Sequence, residues 1–330
     1  MRTFRPPQRP LNPPEAIGAD LGGSKLLVGV VNGDQQILHR SKETTFGRSK
    51  EEVLEALESE LVEARDARPD VAAAGLGIPC TIDQRRGVAI SAVNLPLVDV
   101  PIRDMMGERL GVPVFIDNDV NAAILAEHRF GAARGTRNAV MMTIGTGIGG
   151  GVILGGRVYR GTRGAAPELG HMVVDLNGPR CQGNCPNRGC IEAVASGTAL
   201  GREGRAAAER APESILGRAR AEGHEIDGRV VTDAALAGDQ TAREVVALIG
   251  RRLGAAFSSL ANIFEPEVIV IGGGVMANGE LLLGPARGEL HARALPPMRD
   301  TPVVAAELGP EAGMIGAAAM ALTELEEQTQ

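Results

Sequence analysis

Three of the four cysteines in this 330-residue chain fall within ten residues, in the stretch CQGNCPNRGC from Cys181 to Cys190, and His171 ends an ELGH motif a short way upstream. One imidazole with three thiolates suits a tetrahedral, closed structural zinc site, with His171, Cys181, Cys185 and Cys190 as its ligands. In a reducing compartment clustered cysteines are more often metal ligands than disulfides, and Cys-x3-Cys-x4-Cys is too crowded for a useful disulfide framework. Gly183, Asn184, Asn187 and Gly189 permit the tight turns that ligation at this spacing needs. The alternative is a loop of free thiols, and metal analysis separates the two. Cys80, far away after GLGIP, reads as a small buried residue.

A second group of polar residues occupies the middle of the chain: Asn94 in VNLP, Asp117, Asn118, Asp119 and Asn121 in FIDNDVNAA, Glu168 and His171 in PELGH, and Glu192 in CIEA. These side chains offer both donors and acceptors, as a site gripping several hydroxyls requires, so a sugar is the expected guest. VPVFI before Asp117 reads as a strand and VNAAILAEHRFG as a helix, which puts Asn118 and Asp119 at a strand's carboxyl end, where open α/β sheets bind ligands. An aspartate there is a natural general base for a hydroxyl attacking a phosphate, a reaction otherwise catalysed by positioning and charge neutralisation. Read locally, DND can equally be a helix N-cap with polarity to spare.

The elements that must position these groups show an internal duplication. AIGADLGGSKLLVGVV (16–31) and AVMMTIGTGIGGGVILGGRV (139–158) each read as an apolar strand, a glycine-rich turn and a second apolar strand. The second holds Gly145, Gly147 and Gly150 at GxGxxG spacing. A dinucleotide site, however, needs a helix after the glycines, and the β-branched GVILGGRVY that follows argues for a strand. Two such hairpins can hold a polyphosphate through backbone N–H groups. Between them, KEEVLEALESELVEARDA has helical spacing and VAAAGLGIP strand character. TAREVVALIGRRLGAAFSSLANIF is again helical and stops before Pro266. EVIVIGGGVMANGELL then gives a buried strand, a glycine triplet at Gly272, Gly273 and Gly274, and a helix. The triplet is either a nucleotide contact or a tight strand exit.

The composition, 44% hydrophobic and 23% charged, is that of an ordinary globular chain long enough for two modest domains or one large one. A net charge of −7 and only 2% aromatics exclude a nucleic-acid face. The basic, proline-rich start (residues 1–15) lacks the apolar core of a signal peptide and reads as a disordered leader. No apolar run approaches membrane-spanning length, so a cytoplasmic protein without membrane or nucleic-acid partners is expected.

GADLGGSK, NLPL with DNDVNAAILAE, TIGTGIGGGVILGGRVYRG, ELGHM, CQGNCPNRGCIEAVASG and VIVIGGGV, in this order over residues 17–322, resemble the ROK family of repressors, open reading frames and sugar kinases, in particular its bacterial ATP-dependent glucokinases. The resemblance implies an α/β fold of two ribonuclease-H-like, actin- and hexokinase-type domains with a ligand cleft between them. The expected division is a small domain over residues 16–118 plus a C-terminal helix near 312–326, and a large domain over 119–311 that carries the zinc loop 171–190. The implied reaction is ATP-dependent phosphorylation of a hexose, foremost glucose, at its 6-hydroxyl. Carried over by position, Asp119 is the base, and Asn94, Asn118, Glu168, His171 and Glu192 bind the sugar with it. Asp20, Gly22, Gly23, Ser24 and Lys25 form the first phosphate loop, with Asp20 near Mg²⁺, and Thr143, Gly145, Thr146 and Gly147 form the second. Gly272, Gly273 and Gly274 serve the adenosine side, and His171 with the three cysteines holds structural Zn²⁺, leaving the second ring nitrogen of His171 to face the sugar. Relatives imply a homodimer or homotetramer.

This chain departs from the family pattern in three places. Two extra residues separate Cys181 from Cys185, Cys80 stands where Gly is usual, and Pro167 stands where Gly is commoner. These bear on specificity rather than on the base or the phosphate loops. A kinase for another hexose or N-acetylmannosamine, and a non-catalytic sugar sensor, are the alternatives. Too few residues precede the first strand for the DNA-binding domain of a repressor.

Overall fold

The computed structural model describes residues 14–92 and 94–328; most of the expected leader lies outside them. The chain forms two compact units, one running to Ala126 and resuming at Glu311, the other spanning Glu127–Pro310. The first contains β1 (Glu15–Leu21), β2 (Lys25–Asn32), β3 (Ile37–Thr44), α1 (Lys50–Ala67), β4 (Ala73–Ile78), β5 (Cys80–Asp83), β6 (Val88–Ala92), β7 (Val98–Val100), α2 (Ile102–Leu110), β8 (Val114–Asn118) and the start of α3 (Asp119–Phe130). The second contains β9 (Ala139–Ile144), β10 (Ile148–Leu154), β11 (Arg157–Val158), α4 (Ile191–Ala195), α5 (Gly197–Arg210), α6 (Ile215–Ala221), α7 (Gly228–Leu236), α8 (Gln240–Phe264), β12 (Val268–Gly272), α9 (Glu280–Arg293) and β13 (Val303–Ala305). A last helix, α10 (Ala312–Gln328), returns to the first unit.

Each unit is built on a five-stranded sheet of one design. The orders are β3-β2-β1-β4-β8 and β11-β10-β9-β12-β13, with a three-stranded antiparallel meander followed by two parallel strands in both. The repeated strand–turn–strand segments are therefore the β1–β2 and β9–β10 hairpins, in equivalent places. The central parallel strands β4 and β12 are apolar and fully buried, as in VIVIG of β12, the pattern of strands packed on both faces.

In the first unit the sheet is glycine-rich where α10 crosses it. A methyl group on Gly18 or Gly75 would lie about 2 Å from the carbonyls of Met314 or Ala317. The alanine-rich helix thus rests directly on the strands, and its Gly316 in turn meets Ala122 of α3. Helix α1 begins in a capping box of Ser49 and Glu52, and α8 begins at Asp239. Helix α8 ends with Glu265 in the left-handed region, just before Pro266. In the second unit Gly250 and Gly254 let α8 touch the carbonyls of Leu282 and Ala286 in α9, around a core that includes the fully buried Phe257.

One buried charge fastens the second unit where the chain enters and leaves it. The Glu127 carboxylate is 0% exposed and accepts the N–H groups of Ala132 (2.8 Å), Glu307 (3.2 Å) and Leu308 (2.9 Å). Glu127→Ala leaves these donors unpartnered in the interior, so we expect a loss of about 3 kcal/mol. For a unit of this size that lowers the thermal midpoint by about 6–12 °C. A calorimetric scan reads it, and a shift under about 2 °C would show that water replaces the carboxylate.

Candidate active site

In the first unit the carboxyl ends of the parallel strands gather the acidic groups. Asp20 ends its β1 register opposite Gly77 of β4, and Gly77 and Ile78 pair with Asp117 and Asn118 of β8. The first turn of α3 follows at once, so Asp119 stands at the strand-to-helix junction. Its Oδ1 accepts the Val120 N–H at 3.0 Å, which Asn118 Oδ1 also accepts at 2.9 Å. Beneath them Asp117, 1% exposed, accepts the Asn118 N–H at 2.7 Å and the Asn121 side-chain amide at 2.9 Å. This buried pair, counted in the sequence among side chains suited to gripping hydroxyls, fixes the backbone that presents Asn118 and Asp119.

The β1–β2 turn is closed by the Gly22 N–H on the Lys25 carbonyl at 2.8 Å. It is held from outside by Thr45, whose buried hydroxyl donates to the Gly22 carbonyl at 2.6 Å. Gly23 packs on Asn94, since a methyl group there would come within 2.6 Å of the Asn94 carbonyl. An expected phosphate-loop residue and an expected sugar contact are therefore neighbours. Lys25 Nζ lies 4.0 Å from Asp20, burial pushes the Asp20 carboxyl above its ordinary range, and the lysine opposes that shift. A buried carboxylate in this state gains from a cation. Gly313 of α10 leaves the room around it, because a methyl group there would meet the Asp20 carboxylate at 2.7 Å. Cys80 is buried, and its thiol is pushed up to about 12, first by burial and then by the charge of Asp119.

In the second unit the β9–β10 turn, Gly145–Gly147, is bounded on two sides. Gly272 pairs with Thr143 in the β12–β9 register, and Gly273, at φ +90°, lies against the Ile144 backbone where a methyl group would be 2.4 Å from its carbonyl. The glycine triplet and the β9–β10 turn, the expected second phosphate loop, thus form one surface. The expected helix after the triplet starts later, because a 3-10 turn over Gly274–Asn278 and a left-handed Gly279 come first. On the other side Glu192 Oε2 accepts the Ile148 N–H at 2.8 Å, and the Gly197 N–H donates to the Gly145 carbonyl at 2.8 Å. Gly150 and Gly170 let the Leu169–His171 turn lie on β10. The third glycine of the GxGxxG spacing thus serves packing, with no dinucleotide helix behind it.

The four expected metal ligands come together: one donor atom each from His171, Cys181, Cys185 and Cys190, all within 4.8 Å of one another. The left-handed Gly183 and Gly189 turn the loop, whereas Asn184 and Asn187 adopt ordinary backbone. Gly189 cannot be replaced, because a methyl group would overlap the Asp175 carbonyl at 1.5 Å. His171 Nδ1 is 3.5 Å from Cys181 Sγ, and its Nε2 is 3.9 Å from Glu168 Oε2 on the far side of the ring. Burial pushes the Cys181 and Cys190 thiols up. A soft divalent ion that displaces their protons answers both the donor set and this burial. Glu192 joins the two halves of this unit's site, with Oε2 on the hairpin and Oε1 3.8 Å from Cys181 Sγ.

Known proteins resemble this chain over most of its length. The model of the ROK family matches residues 16–324. The chain is 38% identical to the glucokinase of Thermotoga maritima, covering 92% of this chain and 96% of the relative. Among solved structures it is similar to a ROK family glucokinase from Streptomyces griseus in complex with glucose and AMPPNP, with TM-score 0.81, 35% identity and coverage of 94% and 99%. It is also similar to the ROK hexokinase of Thermus thermophilus, with TM-score 0.77, 38% identity and the same coverage of 94% and 99%.

Proposed function

The chain belongs to the ROK family, and from that membership we propose that it is an ATP-dependent hexose kinase that converts glucose to glucose 6-phosphate. The observation that carries the reading is the place of Asp119, at the carboxyl end of β8 and two strands from Asp20 in the same sheet. As the sugar's 6-oxygen bonds to the γ-phosphorus, Asp119 takes the hydroxyl proton. The bond from phosphorus to the β,γ-bridging oxygen breaks, and ADP leaves. Asn94, Asn118, Glu168, His171 and Glu192 are assigned to the sugar hydroxyls. The hairpin turns Gly22–Lys25 and Thr143–Gly147 are assigned to the phosphates, and the Gly272–Gly274 turn to the adenosine. Mg²⁺, which supplies charge neutralisation on the phosphates, would be held beside Asp20. Zn²⁺ in the His171–Cys181–Cys185–Cys190 set would supply a structural clip, with His171 held through Nδ1 and its Nε2 left for the sugar side.

Three thiols kept for a metal suit a reducing, cytoplasmic setting. No helix among the described residues is long and apolar enough to cross a membrane. The homodimer or homotetramer implied by resemblance is part of the same proposal, and sedimentation reads it. ADP release with Mg·ATP over a panel of hexoses and acetylated amino-hexoses tests the whole, with Asp119→Asn as the blank. Turnover strongest on glucose is the expected result. Turnover confined to another sugar moves the substrate, and sugar binding without turnover on any would replace the kinase by a sensor.

A further inference from the structure

The tip of the second phosphate hairpin, Gly145–Thr146–Gly147, has glycines on both sides of its single side chain and is closed by the Gly145 N–H on the Gly147 carbonyl at 2.9 Å. The two peptide groups between these residues are held from outside. The Gly145 carbonyl accepts the Gly197 N–H at 2.8 Å, and the Thr146 carbonyl accepts the Thr198 hydroxyl at 2.9 Å. A further donor to Thr146 comes from the cysteine loop: Gln182 Nε2 lies 3.4 Å from that carbonyl and 3.1 Å from Ser196 Oγ. An amide nitrogen has two hydrogens, and here each has an acceptor. Ser196 is itself fixed, being fully buried and accepting the Ala199 N–H at 3.3 Å as the cap of α5.

We propose that Gln182 is a positioning residue for nucleotide binding, the link through which the cysteine loop sets the direction of the second phosphate hairpin. The inference rests on reading Thr143–Gly147 as a phosphate loop. In a trans peptide the C=O and the following N–H point in opposite directions, and the one cis bond among the described residues is Ala166–Pro167. Drawing the Thr146 carbonyl toward Gln182 and Thr198 therefore turns the Gly147 N–H the other way, and drawing the Gly145 carbonyl toward Gly197 does the same for the Thr146 N–H. Two adjacent N–H groups held in fixed directions are what an anionic oxygen needs from a glycine turn. Gln182 immediately follows Cys181, so the geometry of the metal set and that of the phosphate turn are coupled through one side chain. The cysteine loop then acts on nucleotide affinity as well as on the sugar side.

The test uses Gln182→Leu, which keeps bulk and removes both donors, and Gln182→Glu, which keeps length and has no N–H to give. Metal content is measured by mass spectrometry, binding of a non-hydrolysable ATP analogue by calorimetry, and KM separately for ATP and for glucose. In both variants we expect analogue Kd and KM for ATP to rise by about three- to tenfold, the weight of one hydrogen bond. Metal content and KM for glucose should stay at wild-type values. Unchanged ATP affinity in active, metal-loaded variants would overturn the assignment. So would metal loss in both, which would place Gln182 in the fold of the cluster instead. A wild-type protein that binds no nucleotide would remove the kinase reading itself, an outcome distinct from either.

Discussion

Asp119→Asn is expected to lower kcat by about 10³-fold while the protein still binds its sugar. The substitution retains shape and the contact to the chain: an amide oxygen can accept the Val120 N–H as Asp119 Oδ1 does at 3.0 Å, and Asn118 accepts the same N–H at 2.9 Å. The Asp117–Asn121 pair that fixes the turn is untouched. Only the capacity to take a proton is lost. A group that acts in the transition state and contributes little to ground-state binding lowers kcat and leaves the dissociation constant almost unchanged. Calorimetric titration with glucose should give a Kd within about threefold of wild type beside the lost turnover. Near-normal turnover would take Asp119 out of the base role and leave it as the first residue of α3, the local reading its sequence also allowed. Equal loss of binding and turnover would instead make it a sugar anchor.

The fold was legible because its signals are local. Apolar runs broken by glycine turns at 22–24 and 145–147 mark the two hairpins, and their equivalent places in two sheets of one order follow from the duplication. The strand that ends at Asn118 and the helix that starts at Asp119 follow from a change of hydrophobic period within a few residues. The cysteine cluster was legible because three of its four ligands are close in sequence.

The supports of the site were not legible, because they act across distance on groups that carry no side-chain signature. Thr45 holds the carbonyl of Gly22, and Thr198 and Gln182 hold the carbonyl of Thr146, from positions far along the chain. A backbone carbonyl is the same in every residue, so nothing in the sequence marks it as an acceptor in need of a donor. The 3-10 turn before α9 escaped for a related reason. Three glycines announce a turn, but its far end is tied by the Asn278 side-chain amide, which donates to Thr232 of α7 and to the Val275 carbonyl, and the local sequence marks neither.

Cys185→Ala is expected to strip the metal and weaken sugar binding together, by about tenfold or more, the scale on which loss of ligand orientation acts. The loop between Met172 and Cys190 has only a small buried cluster, Cys181, Cys190 and Ala193 with Cys185 at its edge, beside backbone hydrogen bonds such as the Cys181 N–H on the Asn187 carbonyl at 3.0 Å. A bound ion would add the cross-link that so small a core lacks. Cys185 is the least buried of the three thiols, so removing it empties a ligand position at little cost in packing. His171 then loses the restraint on Nδ1 that directs Nε2 toward Glu168, and Glu192 loses the neighbour of its Oε1. Mass spectrometry of the native protein reads the metal and calorimetry reads the sugar. Unchanged glucose affinity in a metal-free Cys185→Ala protein would detach the cluster from the sugar site. Undiminished metal would show that the remaining ligands with water suffice, and the role in ordering the loop would pass from the full set to His171, Cys181 and Cys190.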